Sequence, residues 1–247
     1  MQLESLREEV LDANLELVRR GLVIYTFGNV SGIARAQGLV AIKPSGVPYE
    51  KMTAADIVIT DLEGKVVEGT LGPSVDLATH LVLYRAFPAI GGVAHTHSPF
   101  ATAWAQAGRE IPCLGTTHAD YFRGAVPVTA PLDASGIEGD YEAAAGRAIV
   151  QRLAGLDPEE FSAVLAHGHG PFAWGPSATG AAHNAVILEE LARIAAQTMA
   201  LNPAAAPIPD PLRDLHFLRK HGPTARYGQK TGTVTNNPFS GNGDSNK

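Results

Sequence analysis

The segment Gly92-Val93-Ala94-His95-Thr96-His97-Ser98 joins a short apolar run to two histidines separated by one residue. Its small and β-branched residues predict a strand that runs into the histidine pair. Alternate side chains of a strand share a face, so the imidazoles of His95 and His97 lie on the same side, with Cα atoms about 7 Å apart. Two imidazoles in this arrangement can bind one metal ion. The segment therefore predicts a strand that ends at a candidate metal site.

A second pair of histidines follows another apolar strand, predicted at residues 163–166. The turn His167-Gly168-His169-Gly170 contains glycines, which allow the backbone to approach an ion closely. Three imidazoles with one free coordination position suit a catalytic zinc or a similar divalent ion. The spacing permits either His167 or His169 as the third ligand. The competing interpretation is that these histidines are half-exposed residues at strand ends, with no role in metal binding.

Helical and extended patterns alternate over the rest of the chain. Apolar residues recur at helical spacing in residues 2–20, 77–87, 100–106, 141–154, 177–199 and 213–221. Runs of small, β-branched and aromatic residues predict strands at residues 22–27, 39–42, 57–60, 66–68, 93–97 and 163–166. In this interpretation Gly28 and Asn29 form a turn after the first strand, and Ser74 or Asp76 caps the second helix. The pattern predicts one α/β domain in which helices flank a central β-sheet.

Charge and composition exclude several classes of protein. The chain of 247 residues has a net charge of −6 and no cluster of Lys and Arg, so we expect no nucleic-acid partner. No apolar run approaches the roughly 20 residues that span a bilayer, so we expect no membrane segment. The N-terminus MQLESLREEV carries charges where a signal peptide has its apolar core, and Cys113 is the only cysteine. We therefore expect a cytoplasmic protein without an intrachain disulfide.

Three turns combine the donors that phosphate recognition requires, namely amide, hydroxyl and ammonium groups. They are Gly28-Asn29-Val30-Ser31, Lys43-Pro44-Ser45-Gly46 and Pro73-Ser74. Each turn alone is ordinary turn chemistry, because Gly, Asn, Ser and Pro dominate turns. Their joint occurrence indicates a site for an anionic ligand in a chain that is acidic as a whole.

The motifs resemble those of the class II aldolase superfamily and, within it, the L-ribulose-5-phosphate 4-epimerases. The resemblance extends over nearly the full length, to Tyr227-Gly228-Gln229. It rests on Thr26-Phe27-Gly28-Asn29-Val30-Ser31, Ile42-Lys43-Pro44-Ser45-Gly46, Gly92-Val93-Ala94-His95-Thr96-His97-Ser98, Gly115-Thr116-Thr117-His118-Ala119-Asp120-Tyr121 and His167-Gly168-His169-Gly170-Pro171-Phe172-Ala173-Trp174-Gly175. It implies a three-layer α/β/α domain over residues 1–229. Residues 230–247 are rich in Gly, Asn, Ser and Thr, which predicts a disordered tail.

The resemblance also implies an activity and a set of site residues. The activity is a metal-dependent interconversion of L-ribulose 5-phosphate and D-xylulose 5-phosphate by cleavage and re-formation of a carbon–carbon bond, in L-arabinose catabolism. Zinc, or another divalent cation such as Mn²⁺, is expected on Asp76, His95, His97 and His169. The phosphate is expected among Gly28, Asn29, Lys43, Ser45, Gly46, Ser74 and Val75. Proton transfer on the two sides of the substrate is expected from Asp120 and Tyr227.

One residue departs from the pattern of these epimerases. Val75 stands where they usually have a second serine, so one hydrogen bond to the phosphate would be missing. The resemblance further implies a homotetramer with sites between subunits. Two alternatives stay open: a class II aldolase acting on fuculose or rhamnulose phosphate, which would carry glutamate in place of Asp76, and a noncatalytic module like the adducin head, which would bind no metal.

Overall fold

Seven strands form one antiparallel sheet in the part of the chain that the structure describes, residues 3–222 and residue 225 of a computed structural model. The strands are β1 (Asn29–Ala34), β2 (Leu39–Ile42), β3 (Val58–Asp61), β4 (Val66–Glu68), β5 (Gly92–His95), β6 (Ala163–Ala166) and β7 (Gly170–Gly175). Their order across the sheet is β4-β3-β2-β1-β5-β7-β6, and each neighbouring pair is antiparallel. The helices are α1 (Glu4–Arg19), α2 (Leu77–Ala86), α3 (Pro99–Gln106), α4 (Thr116–Ala119), α5 (Ala134–Glu138), α6 (Tyr141–Arg152), α7 (Ala178–Leu201) and α8 (Asp210–His221).

Helices cover both faces of this sheet, because alternate residues of each strand point to opposite sides. On one face, Ala94 of β5 and Leu165 of β6 belong to a core that includes apolar residues of α1, α3 and α7. On the other face, Val93 and Val164 belong to a core that includes apolar residues of α2 and α6. The sheet and its two helical layers confirm the predicted α/β class with a central sheet flanked by helices.

The strand predicted at residues 22–27 is wrong. The Phe27 amide donates to the Ile24 carbonyl and Tyr25 has a φ of 55°, so the chain turns here instead of extending. The side chains of Ile24, Tyr25 and Phe27 are 62%, 84% and 55% exposed. Aromatic and β-branched residues favour a strand only where neighbouring strands and a core receive them. Pairing with β5 starts at Asn29, which is therefore the first residue of β1 and not part of a turn.

The other predicted helices and strands are confirmed, with shifts at their ends. The pattern misses the strands β1 and β7, whose residues it assigns to turns or leaves unassigned. It also misses α4 and α5, because helices of four and five residues are too short to show a periodicity. No helix among the described residues is both long enough and apolar enough to cross a membrane. The predicted domain end at residue 229 and the predicted tail at 230–247 lie outside the residues described.

Antiparallel pairing gathers several chain turns at one end of the sheet. Asn29, the first residue of β1, lies opposite His95, the last residue of β5. β2 runs antiparallel to β1, so Lys43, which follows β2, reaches the same end. β7 starts at this end as well, since Phe172 pairs with His95, and the turn that contains His169 precedes it. The topology thus brings segments that are far apart in sequence to one end of the sheet.

Candidate active site

Three imidazoles converge at this end of the sheet. The ring nitrogens that His95, His97 and His169 offer all lie within 4.8 Å of one another. The ring centroids are 4.9 Å apart for the first two, and 4.7 and 5.0 Å from His169. His167, the other candidate that the spacing permits, is exposed and is not part of this group. The structure therefore brings His169 to the pair.

The hydrogen bonding of His95 leaves its Nε2 without a proton, so that this nitrogen can act as a ligand. Its Nδ1 lies 2.9 Å from the carbonyl oxygen of Pro171, and because a carbonyl can only accept, Nδ1 carries the proton. Its Nε2 lies 3.0 Å from Nε2 of His97. Burial lowers the pKa of His95 to about 3, so the ring is neutral at pH 7. A neutral imidazole held in this way is the form that binds metals, and the three histidines can hold a divalent ion.

Two aromatic residues fix the orientation of these rings. Phe172 stacks on His95 with the ring centroids 4.2 Å apart and an angle of 16° between the planes. The Tyr141 hydroxyl lies 3.3 Å from Nδ1 of His169. A partner on the second ring nitrogen sets the tautomer of a ligand histidine. Tyr141 was missed from the sequence, where it is only the first residue of a predicted helix.

Asp76 lies beside the three histidines, at the start of α2. Its side chain makes no capping hydrogen bond to the helix; instead its Oδ2 accepts a hydrogen bond of 2.6 Å from Nδ2 of Asn29. Burial by itself raises the pKa of Asp76, but the electrostatic effects of His95 and His80 and the hydrogen bond from Asn29 outweigh it and lower the pKa below its usual value. The carboxylate oxygens of Asp76 do not belong to the group of ligand atoms that lie within 4.8 Å of one another. The role of Asp76 as a metal ligand therefore stays a prediction.

A buried lysine lies next to this cluster without a carboxylate partner among the described residues. Lys43 is 2% exposed, and its Nζ lies 3.2 Å from the Pro44 carbonyl oxygen and 3.5 Å from that of Thr26. The ammonium also lies 4.8 Å from the centre of the Tyr49 ring. Burial lowers the pKa of Lys43, which shows how costly the charge is in this place. A buried cation that only carbonyls and a ring face contact is suited to an anionic ligand.

One cavity of about 430 Å³ joins the lysine to the histidines. All the predicted phosphate-binding residues and all the predicted metal ligands line it: Gly28, Asn29, Lys43, Ser45, Gly46, Ser74, Val75, Asp76, His95, His97 and His169. Backbone hydrogen bonds of 3.0 Å, from Ser45 to Gly72 and from Ser74 to Lys43, hold two of the predicted turns together. The lining also contains residues that the sequence did not single out as site residues, namely Thr26, Phe27, Pro44, Tyr141 and Glu142.

Gly28 gives a stability prediction, because its backbone has no room for a side chain. Its φ is +73°, and a Cβ would lie 2.8 Å from the His95 carbonyl oxygen. We expect Gly28→Ala to lower the free energy of unfolding by about 2 to 4 kcal/mol, through backbone strain and the clash. Gly21→Ala is the matched control, with a φ of +70° but nothing within 4 Å of its Cβ. Urea unfolding of the two variants measures the difference; equal losses would show that the contact with His95 is unimportant.

Asp120, one of the two predicted proton-transfer residues, does not line this cavity. Asp120 directly follows α4, and its carboxylate accepts hydrogen bonds of 3.0 and 2.9 Å from Arg219 and lies 3.1 Å from Nδ1 of His216. Burial raises the pKa of Asp120, but the hydrogen bonds from Arg219 and His216 outweigh it and lower the pKa. The structure does not bring Asp120 to the cavity of its own chain. Tyr227 lies outside the described residues.

The fold and the cavity together define a class of protein. It is an α/β protein whose sheet carries three histidines that can hold a metal ion and, in the same cavity, a buried lysine that no carboxylate of the described chain neutralises. Its family follows from comparison with known proteins. The chain belongs to the class II aldolase and adducin N-terminal domain family, whose model matches residues 8–196.

Similar proteins and solved structures agree with this family. The L-ribulose-5-phosphate 4-epimerase UlaF of Salmonella paratyphi B is 54% identical over 228 residues, which cover 92% of this chain and 100% of that protein. UlaF of Salmonella typhi is 53% identical with the same coverage. An L-fuculose 1-phosphate aldolase matches the fold with a TM-score of 0.73 and 26% identity, over 86% of this chain and 94% of that one. The L-fuculose-1-phosphate aldolase from Thermus thermophilus has a TM-score of 0.64 and 28% identity, over 82% and 98% of the two chains.

Proposed function

We propose that the protein is a divalent-metal-dependent L-ribulose-5-phosphate 4-epimerase, which interconverts L-ribulose 5-phosphate and D-xylulose 5-phosphate. The observation that carries this proposal is that the three histidines and Lys43 line one cavity. This arrangement suits a substrate that has both the hydroxyl and carbonyl oxygens of a sugar and a phosphate group. The identity of 54% to an L-ribulose-5-phosphate 4-epimerase over 92% of the chain supports the choice of substrate. We also propose a cytoplasmic location and a role in L-arabinose catabolism.

Epimerisation at C4 requires a carbon–carbon bond to break, because the hydrogen on C4 is not acidic. Removal of the proton from the C4 hydroxyl lets the C3–C4 electron pair move towards the C2 carbonyl. The products are the enediolate of dihydroxyacetone and glycolaldehyde phosphate. The aldehyde then rotates by about half a turn, the same electron pair attacks its opposite face, and the new C4 oxygen takes up a proton. All atoms are retained, and only the configuration at C4 changes.

The metal would be zinc or another divalent cation such as Mn²⁺. His95, His97 and His169 would hold it, with Asp76 beside them. When bound there, the ion would supply Lewis-acid stabilisation of the negative charge that develops on the sugar oxygens. Asp76, whose pKa is lowered, would stay ionised next to the site and accept a hydrogen bond from Nδ2 of Asn29.

The predicted phosphate-binding residues explain why the aldehyde fragment would remain bound. Glycolaldehyde phosphate carries the phosphate group, which Lys43 would hold as a charge partner. Further donors in the same cavity would be the hydroxyls and backbone amides of Gly28, Asn29, Ser45, Gly46 and Ser74. With the phosphate fixed, the aldehyde can turn about the C4–C5 bond without leaving. Val75, which is 68% exposed on this wall, would add no hydrogen bond.

We propose that Asp120 and Tyr227 transfer the protons from a neighbouring copy of the chain in a homotetramer. The Asp120 carboxylate is fixed by Arg219 and His216 at a place away from the cavity of its own chain, which supports an action between subunits. We further propose that residues 1–229 form one domain and that residues 230–247 are a C-terminal tail.

A direct assay tests the substrate. We expect the purified protein to convert L-ribulose 5-phosphate into D-xylulose 5-phosphate, detected with a coupled transketolase assay, without net release of dihydroxyacetone. The competing aldolase function is favoured by the structural likeness to L-fuculose 1-phosphate aldolase. Release of dihydroxyacetone phosphate from L-fuculose 1-phosphate, together with no xylulose 5-phosphate, would establish that alternative and overturn the epimerase proposal.

A further inference from the structure

A chain of buried polar groups lies on the core side of the candidate site. His80 of α2 is fully buried, and its Nδ1 lies 2.7 Å from the Ser31 hydroxyl. The Ser31 hydroxyl in turn lies 2.7 Å from the Tyr84 hydroxyl. Both Ser31 and Tyr84 are fully buried as well. Since buried polar groups cost free energy unless they are hydrogen-bonded, the donor and the acceptor of each of these hydrogen bonds are constrained.

The hydrogen-bond count determines which nitrogen of His80 carries the proton. The Tyr84 hydroxyl has two partners, the Ser31 hydroxyl and the Val93 backbone. Burial raises the pKa of Tyr84, whereas the bond with Val93 lowers it, so the phenol oxygen accepts that bond, and the phenol proton is donated to Ser31. The Ser31 hydroxyl then donates to Nδ1 of His80, which acts as the acceptor. A neutral imidazole that accepts at Nδ1 has its proton on Nε2.

The Nε2 proton is left without a partner beside Asp76. Nε2 of His80 is buried and makes no hydrogen bond to the residues that the structure describes. His80 follows Asp76 by four residues on α2, so the two side chains lie on the same face, and a helical side chain leans back towards the preceding turn. Asn29 holds Oδ2 of Asp76, and no described residue donates to its other carboxylate oxygen.

We propose that His80, held by Ser31 and Tyr84 with its proton on Nε2, is a positioning residue that donates to the Asp76 carboxylate, directly or through one water, when the site is loaded. His80 and Asn29 would then hold the carboxylate from two sides. The inference rests on the proposed function only for its effect on turnover. An anion that must keep one orientation in a buried site gains from a second donor, because hydrogen bonds to charged groups are stronger than those between neutral groups.

The tautomer is tested without any activity measurement. A long-range ¹⁵N–¹H correlation spectrum of the zinc-loaded protein, labelled at histidine, shows which ring nitrogen of His80 is protonated. We expect the proton on Nε2, and we expect Tyr84→Phe to shift it towards Nδ1, because Ser31 then becomes free to accept. A proton on Nδ1 in the unaltered protein would overturn the proposal. A crystal structure of the zinc-loaded protein should show Nε2 bonded to Asp76 or to a water on Asp76, and a bond to any other group would equally overturn it.

Kinetics distinguish positioning from a merely structural role. His80→Gln keeps an N–H donor near Nε2, and we expect its kcat to stay within about threefold of the unaltered value. His80→Leu removes the donor, and we expect its kcat to fall by about 10- to 100-fold with little change in KM. Leu83→Ala, on the same helix and fully buried, is the control that loses stability but keeps kcat. Equal losses in the Gln and Leu variants would contradict the proposal.

Failure of the proposed function would be recognised separately. If the unaltered protein does not epimerise L-ribulose 5-phosphate, the function is wrong, but the His80 tautomer and the bond to Asp76 in the zinc-loaded crystal still decide the inference. If the unaltered protein is active and His80 is protonated at Nδ1, the function stands and the inference is wrong.

Discussion

His169→Ala is expected to lower kcat for L-ribulose 5-phosphate by about a thousandfold and to weaken the binding of zinc. The reason is that His169 supplies one of three nitrogens that converge within 4.8 Å, and Lewis-acid stabilisation of a developing charge contributes several kcal/mol, where each 1.4 kcal/mol changes the rate about tenfold. Steady-state kinetics and zinc titration calorimetry on the same preparation measure both effects.

His167→Ala is the matched control, two residues away in the same turn. His167 is exposed and lies outside the group of converging nitrogens, so we expect kcat and zinc affinity to stay within about threefold. This pair tests a choice that the sequence spacing leaves open. If His167→Ala lost the metal and His169→Ala kept it, the assignment of the third ligand would be wrong.

Lys43→Met is expected to raise KM about 100-fold while making the ligand-free protein more stable. The loss of affinity follows because a charge-assisted hydrogen bond to phosphate contributes about 1.5 to 3 kcal/mol. The gain in stability follows because the Lys43 ammonium is 2% exposed, and a buried charge without an opposite charge destabilises the folded state. Lys51→Met, at an exposed lysine on the short helical turn after β2, should change neither quantity.

Two further measurements test the role of Lys43, namely thermal stability with added phosphate and stability as a function of pH. Inorganic phosphate should raise the melting temperature of the unaltered protein and have little effect on Lys43→Met, since a ligand that binds only the folded state stabilises it. Burial lowers the pKa of Lys43 below 10.5, so between the lowered value and 10.5 the folded state binds fewer protons than the unfolded chain. Over that window the stability of the unaltered protein should rise with pH relative to Lys43→Met. A constant difference in stability would show that Lys43 is not desolvated.

Much of the fold follows from local patterns in the sequence. The helix 177–199 and the strands at 39–42 and 163–166 have long or strongly apolar patterns, and the structure has α7, β2 and β6 there. The region before β1 could not be read in this way, because Tyr25 and Phe27 have strand-like side chains but no neighbouring strand to pair with in the described chain. Propensity describes a side chain, whereas pairing depends on segments far away in the sequence.

Those residues of the candidate site that belong to sequence motifs could be predicted, whereas those outside the motifs could not. The histidine pair at 95 and 97 is visible from spacing, but the preference for His169 came from the family resemblance, and its position depends on β7 pairing with β5. Tyr141 and His80 were not singled out from the sequence: Tyr141 opens a helix and reaches His169 only through tertiary packing, whereas His80 lies within a helix, four residues after Asp76. Asp120 belongs to a motif of the resemblance, but its carboxylate lies against Arg219 and away from the cavity of its own chain.

Metal-dependent turnover tests the central claim most directly. The purified protein would be stripped with a chelator, assayed for D-xylulose 5-phosphate formation, and then titrated with Zn²⁺ or Mn²⁺ while the bound metal is determined on the same samples. We predict that the stripped protein is inactive and that activity rises in proportion to bound metal up to one ion per chain, the capacity of the three histidines. Full activity in the stripped protein, or activity that does not follow the bound metal, would contradict the account.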